Sequence, residues 1–196
     1  WLSGLRESCG PVKSRLIALN VHDAVLRMVE GSCDLLIAYH HASQPIQLDT
    51  DRYEMMPLGR ETLAPYVKPN AQGEPMYRLP GQPAQPLPYL AYAPGAYLGR
   101  VVELILKQAG AAAWLERVYE TDMAEGLKAM ALEGHGIAFL PSSAVRKELR
   151  SHKLVPAGGE LEMALDIRLY RERPTGSKTK RAVNQFWDDL QRKFGT

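Results

Sequence analysis

The sequence predicts an α/β protein with a mostly parallel sheet, and two regions favour this class. Residues 123–141 read MAEGLKAMALEGHGIAFLP, in which apolar residues at helical spacing precede Gly134, Gly136 and an apolar run ending at Pro141. A helix leading into a strand that is hydrophobic on both faces is typical of a parallel sheet covered by helices. Residues 16–41 have the order strand, helix, strand at about the minimum length of a crossover unit.

The first half of the chain predicts four elements and a long loop. Residues 16–19 and 33–39 predict apolar strands on either side of a short helix. The residues that this helix is expected to bury are Ala24, Val25, Met28 and Val29. Residues 61–68 predict a strand that crosses between two lobes, and residues 69–88 predict a loop because their many prolines lack amide donors.

The βα pattern restarts at Pro88. Predicted elements are a strand at 88–92, a helix at 96–107, a strand at 114–119, the helix and strand of 123–141, and a helix at 143–150. Period-two alternation over residues 163–170 predicts a second crossing strand. A last helix over residues 178–193 is expected to bury Val183, Phe186, Trp187, Leu190 and Phe194. With two crossings, the chain ends would build one lobe and the middle of the chain the other.

Three segments carry a resemblance to a known family. They are EGHGIAFLP at residues 133–141, the segment 16–41 with Gly31 ending its helix and Asp34 opening the next strand, and PYLAYAPGAYLGR at residues 88–100. Together they resemble the C-terminal effector-binding, or regulatory, domain of LysR-type transcriptional regulators. The resemblance covers most of the chain.

The resemblance implies a type II periplasmic-binding-protein-like fold, with two Rossmann-like lobes joined by two crossover strands and a ligand in the cleft between them. It implies regulatory subdomain I at residues 1–62 and 167–196, and regulatory subdomain II at residues 63–166. The DNA-binding domain is absent from this chain. The implied partners are a small-molecule effector, further copies in a homodimer or homotetramer, and DNA only through a missing N-terminal helix-turn-helix domain. In such a dimer, the helix with Ala24 and Met28 would lie beside the second lobe of the partner.

Candidate ligand contacts follow from the helix starts. In open α/β lobes, ligands bind at the carboxyl ends of strands, where helix N-termini present unpaired amides. Three predicted helix N-termini follow a strand in this way, at residues 20–23, 93–97 and 120–122. Thr121 or Asp122 is expected to cap the third helix, and Asp122 with Glu125 has capping-box spacing; for Thr121, a cap alone and a ligand contact both remain open. The candidate ligand-binding residues are Tyr92, Ala93, Pro94, Gly95, Ala96, Tyr97, Glu120, Thr121, Asp122 and His40.

Met123 is a possible redox residue. The three segments are most similar to those of the hypochlorite-responsive LysR-type regulators, in which methionine oxidation is the proposed switch. Sulfoxide formation makes an apolar side chain polar and disturbs its packing. That subgroup has a second methionine where this chain has Leu98, so we expect Met123 to serve in packing instead, as Met28 and Met130 do.

Catalytic and metal-binding motifs are absent from the sequence. It has no G-x-S-x-G, Walker, G-x-G-x-x-G or H-E-x-x-H pattern. The Gly-His-Gly at residues 134–136 precedes a strand, whereas a phosphate loop leads into a helix. His40 and His41 are adjacent on a strand and point to opposite faces, which disfavours a shared metal. We expect no enzymatic activity, no metal and no cofactor.

Composition indicates an ordinary domain without a nucleic-acid face, because 24 basic residues balance 22 acidic ones. Cys9 and Cys33 give no disulfide framework, and no signal segment or apolar stretch of about eighteen residues is present. We therefore expect a cytoplasmic protein without a membrane partner, although the abrupt start at Trp1 leaves room for a preceding leader or domain. The expected function is effector sensing, by binding a small polar or anionic ligand and controlling oligomer geometry; the alternative is a solute-binding protein of a transporter.

Overall fold

A computed structural model describes residues 14–108, 113–158, 160–174 and 181–194. These residues contain five helices and seven strands. The helices are α1 (Val21–Val29), α2 (Tyr97–Gln108), α3 (Ala124–Glu133), α4 (Ser142–Arg150) and α5 (Arg181–Phe194). The strands are β1 (Leu36–His40), β2 (Tyr53–Val67), β3 (Leu87–Tyr92), β4 (Leu115–Thr121), β5 (Ile137–Pro141), β6 (Val155–Pro156) and β7 (Met163–Glu172).

The chain divides into two compact units. Unit 1 comprises Trp1–Arg60 and Asp166–Thr196, and unit 2 comprises Glu61–Leu165. The two long strands β2 and β7 pass through these limits, so each contributes residues to both units. Unit 1 is therefore discontinuous in sequence, whereas unit 2 is a single segment.

Unit 2 is built on a parallel core of three strands. β3 lies between β4 and β5 and runs parallel to both, while β2 pairs antiparallel with β5 and with β6. Every residue of β5 is buried, and both α3 and α4 pack against this strand. The prediction of a mostly parallel sheet is confirmed only for β3 with its neighbours β4 and β5, because β5 also pairs antiparallel with β2 and the sheet is therefore mixed. β5 is apolar throughout because it lies between two strands and has helices packed against it, which leaves no face for polar residues.

Two glycines shape the entry to β5. Gly134 ends α3 with a φ of +87°, a left-handed conformation that side chains other than glycine rarely adopt. A Cβ on Gly136 would lie 2.6 Å from the carbonyl oxygen of Pro88. Only glycine at position 136 therefore lets this turn approach β3 so closely.

Unit 1 contains two apolar clusters around β1 and β7, which pair antiparallel. One cluster contains Met56, Leu58, Leu169, Trp187 and Leu190, and it includes the apolar face of α5. The other contains Met28, Leu36, Ala38, Tyr53 and Tyr170, and it includes the inner face of α1. The expected burial of the last helix against the first part of the chain is confirmed by these contacts.

Arg171 ties α5 to the strands of unit 1. Its side chain is 7% exposed, its Nε donates to Glu54 Oε1 at 2.6 Å, and its Nη1 donates to Asn184 Oδ1 at 3.1 Å. The guanidinium also lies 4.3 Å from the centroid of the Trp187 ring. A buried charge is tolerated here because a carboxylate, an amide oxygen and an aromatic face all surround it.

The first strand of the sequence-based prediction is wrong. Residues 14–20 have neither helical nor strand structure, and Leu16 is 72% exposed. A strand requires a neighbour to satisfy its amides, and none of the described strands pairs with this segment. The N-terminal strand–helix–strand unit is therefore not formed, and β1 is antiparallel to its partner β7.

Other elements differ at their ends. β2 begins eight residues before the predicted start, at Tyr53, and β7 extends to Glu172. For the last helix, the predicted start at residues 178–180 lies outside the described residues.

Within the described part of the chain, no helix has both the length and the apolar character needed to cross a bilayer.

Candidate functional site

The carboxyl ends of β3 and β4 lie side by side in unit 2. Tyr92 and Thr121 are register partners at the ends of these parallel strands, and the Ala93 amide donates to the Thr121 carbonyl oxygen at 2.9 Å. Each strand leads through a short turn into a helix, α2 or α3. Parallel pairing therefore places the two turns, and the two helix starts, next to each other.

The turn from β3 to α2 is open to a ligand at Gly95. This glycine has a φ of +86°, and a Cβ built on it would meet no atom within 4 Å. The Ala96 amide closes the turn by donating to the Ala93 carbonyl oxygen at 3.1 Å. Tyr97 then starts α2, whose first-turn amides have no intrahelical acceptor and carry the partial positive charge of the helix N-terminus.

Arg100 adds a full positive charge beside this turn. Its Nη1 donates to the Gly95 carbonyl oxygen at 2.8 Å, and its guanidinium lies 5.7 Å from the centroid of the Tyr97 ring. Arg100 was not among the predicted ligand-binding residues, although its spacing of three residues from Tyr97 places both side chains on one face of the predicted helix. The α2 side of the site is therefore suited to a hydrogen-bond acceptor or an anion.

The turn from β4 to α3 is built on Thr121. Its Oγ1 accepts a long hydrogen bond of 3.4 Å from the Met123 amide. A Cβ on Gly126 would lie 3.1 Å from Thr121 Cγ2, so the first turn of α3 packs closely against this side chain. Thr121 thus supports the start of α3 as well as standing at the strand end.

The predicted capping of α3 is wrong in detail. The N-cap residue is Met123, which makes no side-chain cap hydrogen bond, and the helix starts at Ala124. Asp122 therefore lies one residue before the cap, out of capping-box register with Glu125. The Glu125 carboxylate is instead 2.7 Å from Lys128 Nζ. Met123 itself is 48% exposed, so its expected packing role is also wrong.

Charge is unevenly distributed over the two turns. Glu120 is paired with Arg117, whose Nη1 donates to Glu120 Oε2 at 2.8 Å, and Asp122 is exposed. The β4–α3 side therefore carries a compensated Glu120–Arg117 pair and the exposed carboxylate of Asp122, whereas the α2 side carries Arg100. This arrangement favours a polar ligand with an acceptor group toward α2 and a donor group toward Asp122.

Unit 2 also contains a buried carboxylate, Glu61, which the sequence pattern predicted only as the first residue of a strand. Glu61 is 5% exposed and accepts hydrogen bonds from Ser142 Oγ at 2.5 Å, from the Ser143 hydroxyl, from the Ser143 amide at 3.2 Å and from the Thr62 amide at 2.9 Å. Burial acts to raise the pKa of Glu61, but these hydrogen bonds outweigh it and hold the pKa below its usual value. Glu61 therefore caps α4 as an ionised group.

His40 belongs to unit 1, as do the residues 20–23 of the first expected helix start. Burial, followed by the nearby Arg168 charge, lowers the pKa of His40. His40 Nδ1 is 3.9 Å from Asp166 Oδ2, which is too far for a hydrogen bond. Among the described residues, no group of three or more His, Cys, Asp or Glu side chains is arranged to hold a metal ion.

Comparison with known sequences identifies the family. The sequence profile of the family described as "LysR substrate binding domain" matches residues 1–195. The HTH-type transcriptional regulator YjiE of Escherichia coli is 29% identical over 175 residues, which cover 89% of this chain and 54% of YjiE. The chain thus spans about half the length of this curated relative.

Solved structures agree with this match. The full-length structure of HypT from Salmonella typhimurium, described as a hypochlorite-specific LysR-type transcriptional regulator, superposes with a TM-score of 0.81 at 26% identity, covering 98% of this chain and 63% of HypT. A bromide-bound structure of the HypT regulatory domain gives a TM-score of 0.79 at 27% identity, covering 97% of this chain and 87% of that domain. The fold class is confirmed, and so is the resemblance to the hypochlorite-responsive subgroup. The chain belongs to the LysR substrate-binding domain family.

Proposed function

We propose that this chain is the effector-sensing regulatory domain of a LysR-type transcription factor that acts in the cytoplasm. It binds a small polar ligand at the adjacent turns that follow β3 and β4. The observation that carries this proposal is the pairing of Tyr92 with Thr121, which puts two helix starts side by side in one unit. The family match favours this function over that of a transporter solute-binding protein.

The ligand is bound mainly by backbone groups. The first-turn amides of α2 and the guanidinium of Arg100 donate to an acceptor on the ligand, and Asp122 accepts from a donor. Each neutral hydrogen bond contributes about 0.5–1.5 kcal/mol net, and bonds to a charged group contribute more. The bromide-bound HypT regulatory domain shows that a relative of 27% identity holds a small anion.

Binding is tested by calorimetry of the chain against a panel of small polar metabolites. Thr121→Ala should weaken binding about two- to tenfold through loss of a hydroxyl at the strand end. Thr121→Ser keeps that hydroxyl and is the matched control. His152→Ala, beyond the end of α4, should leave affinity unchanged. If the wild-type chain and the Thr121→Ala, Thr121→Ser and His152→Ala variants all bound the ligand with equal affinity, the ligand site would lie elsewhere.

The regulatory step is a population shift. A ligand that binds one arrangement of the oligomer more tightly, by about 1–3 kcal/mol of binding free energy, shifts the equilibrium between the arrangements by that free energy and no more. The helix-turn-helix domain that such an arrangement would present to DNA lies outside this chain. In an electrophoretic shift assay, the chain alone should therefore show no sequence-specific DNA binding, since its net charge of +2 releases few counterions.

Oligomerisation is proposed to use the outer face of α1. Leu26 and Val29 on this helix are 45% and 43% exposed, whereas Met28 faces the core at 2%. Exposed apolar side chains that share a helix face are typical of an interface. Leu26→Lys should lower the mass measured by light scattering to that of a monomer, and an exposed change away from α1, Glu103→Lys, should not.

Methionine oxidation is a second candidate input. Met123 is 48% exposed beside the proposed ligand site, and HypT is described as hypochlorite-specific. Oxidation would add a polar oxygen at the N-cap of α3. In the full-length protein, Met123→Gln should mimic oxidation in an operator-binding assay, and Met123→Leu should block the response to hypochlorite. A normal hypochlorite response of Met123→Leu would refute this role.

A further inference from the structure

We propose that the outward face of α4 is a phosphate-binding surface that contacts the backbone of duplex DNA without reading its sequence. Residues 146–153, at the end of this helix and just beyond it, contain four basic residues and one acidic residue. The chain has 24 basic and 22 acidic residues in total, so the rest of it contains 20 basic and 21 acidic residues. The small net charge therefore conceals one short segment that carries all of the excess positive charge.

The basic side chains share one side of the helix. At about 100° per residue, Arg146, Lys147 and Arg150 lie within an arc of about 100°, and Arg146 and Arg150 are about 6 Å apart along the axis. Lys153 follows in the turn that ends the helix, where its amide donates to the Glu148 carbonyl oxygen at 2.9 Å. We call these four residues the basic face: Arg146, Lys147, Arg150 and Lys153.

The opposite side of this segment is fixed in unit 2. Val145 and Leu154 have no exposed surface, and α4 packs against β5 and α3. All four residues of the basic face are exposed. Because its apolar side is held in the core, the helix presents these four charges to solvent, where a partner can cover them.

Ion pairs do not neutralise the basic face. Within the described part of the chain, none of its four side chains lies within 4.0 Å of a carboxylate. Basic side chains elsewhere on the surface do pair, as Arg52 does with Glu172 at 2.9 Å. Glu148, the acidic residue of the segment, lies about 200° around the helix from Arg146. Its carboxylate is therefore on the other side of the helix.

The helix dipole accounts for only part of this charge. Lys147 and Arg150 lie in the last turn of α4, where positive side chains offset the partial negative charge of the helix C-terminus. That stabilisation falls off within one turn. Arg146 precedes the last turn and Lys153 lies beyond the helix, so the set of four charges is larger than helix stability requires.

The surroundings of the basic face favour phosphate over a protein partner. Protein interfaces are built around apolar anchors and are depleted in lysine. Residues 142–156 contain no exposed large hydrophobic side chain, and half of the basic face is lysine. Phosphate contact needs only such charges, and duplex DNA carries about one negative charge per 1.7 Å of its axis. The basic face is therefore matched to several phosphates of one duplex.

This contact is weak in the isolated chain and becomes useful when DNA is already held nearby. In this respect it rests on the function proposed above, because a DNA-binding domain on the same polypeptide would hold DNA at an effective concentration of about millimolar. Phosphate contacts carry no sequence information. The basic face thus adds affinity for any flanking sequence, and the expected lack of sequence-specific binding by the chain alone is unchanged.

The test is fluorescence anisotropy of a labelled duplex of arbitrary sequence, titrated with the chain at several sodium chloride concentrations. The logarithm of the association constant should fall with the logarithm of salt concentration with a slope of about −3 to −4, since each neutralised phosphate contributes about −0.9. Neutralising the whole basic face should bring the slope to within about 1 of zero and weaken binding at low salt more than about tenfold. The variant carries Arg146→Gln, Lys147→Gln, Arg150→Gln and Lys153→Gln.

The matched control removes the same charge at four exposed positions elsewhere. It carries Arg27→Gln, Arg60→Gln, Lys107→Gln and Lys193→Gln. Because the two variants have the same net charge, a general loss of positive charge would affect them equally. The control should keep a slope within about 1 of the wild-type slope. Thermal unfolding of each variant establishes that it is folded.

Three results would overturn the proposal. They are equal loss of binding in the two folded variants, no salt-dependent duplex binding by the wild-type chain at low salt, and stronger binding to vesicles of phosphatidylserine and phosphatidylcholine than to the duplex. The last result would assign the basic face to an anionic membrane surface. Metabolite calorimetry is a separate readout, so a chain that binds no metabolite but shows the expected slope would lose the proposed effector sensing and keep the phosphate-binding surface.

Discussion

Replacing Glu61 tests most directly how much a buried, hydrogen-bonded carboxylate stabilises unit 2. Its carboxylate lies at the start of α4, where Ser142 and Ser143 donate hydroxyl hydrogen bonds and the helix N-terminus carries partial positive charge. Glu61→Gln preserves the shape of the side chain and three of the four contacts, those made to Oε1. It replaces the acceptor Oε2 with an amide group that faces the Ser143 hydroxyl.

The expected loss of stability is about 2–4 kcal/mol. One hydrogen bond to a charged acceptor contributes about 1.5–3 kcal/mol, and a negative charge at a helix N-terminus contributes about 0.3–1 kcal/mol more. For a chain of this size, each kcal/mol shifts the melting temperature by about 2–4 °C, so Glu61→Gln should melt about 4–16 °C lower. Glu103→Gln, an exposed glutamate on α2, is the matched control and should change stability by less than about 0.5 kcal/mol.

The pH dependence of the free energy of unfolding tests whether the ionised carboxylate of Glu61 causes this stabilisation. Because the folded pKa of Glu61 lies below its ordinary value of 4.5, the unfolded chain binds the proton more readily. The stabilisation is therefore complete above pH 4.5 and is lost as pH falls through the folded pKa. Urea unfolding should show a wild-type advantage over Glu61→Gln at pH 7 that shrinks below pH 4.5. An advantage that is absent at pH 7, or equally large well below the folded pKa, would show that the ionised carboxylate of Glu61 is not the source of the stabilisation.

Three other outcomes are expected. Gly136→Ala should destabilise the chain by about 1–3 kcal/mol in thermal unfolding, because the added Cβ would lie 2.6 Å from a backbone oxygen; an unchanged melting temperature would contradict the packing of β5 on β3. Arg171→Met should cost about 3 kcal/mol by removing the nearer partner of the Glu54 carboxylate, which keeps only Arg173 at 4.0 Å, and adding Glu54→Gln should restore part of that loss in urea unfolding. Burial and then Arg168 lower the pKa of His40, so the unfolded chain takes up that proton first and stability should fall as pH drops below about 6.5. His40→Asn should flatten this slope, and an identical slope in the variant would show that His40 is not its source.

The helices and strands of unit 2 were predictable because the pattern of apolar residues within each segment shows which of its side chains are buried. A strand with helices packed against it is apolar throughout, and helical spacing identifies α2, α3 and α4 without knowledge of their neighbours. The adjacency of Tyr92 and Thr121 also follows from sequence, since consecutive βα units place strand ends along one edge. The contacts of these residues with a ligand stay predictions.

Features that depend on distant residues were not predictable. The strand at residues 16–19 failed because an apolar run does not reveal whether a partner strand exists. Glu61 accepts hydrogen bonds from serines about eighty residues away in the sequence, and the residues around Glu61 do not indicate these partners. Arg168 alternates with apolar residues, a pattern typical of a solvent-facing position, although in the structure it lines a cavity of unit 1 together with His40 and Tyr53.

The discontinuity of unit 1 has a consequence for biosynthesis. Met56 and Leu58 find their packing partners Trp187 and Leu190 only about 130 residues later in the chain. At a translation rate of about 5–20 residues per second, this part of the nascent chain waits about 7–26 s for its partner helix, while the contiguous unit 2 leaves the ribosome before α5 is synthesised. The regulatory domain is therefore expected to fold from its middle outward, with the apolar side chains of Met56 and Leu58 unpacked until α5 has been synthesised.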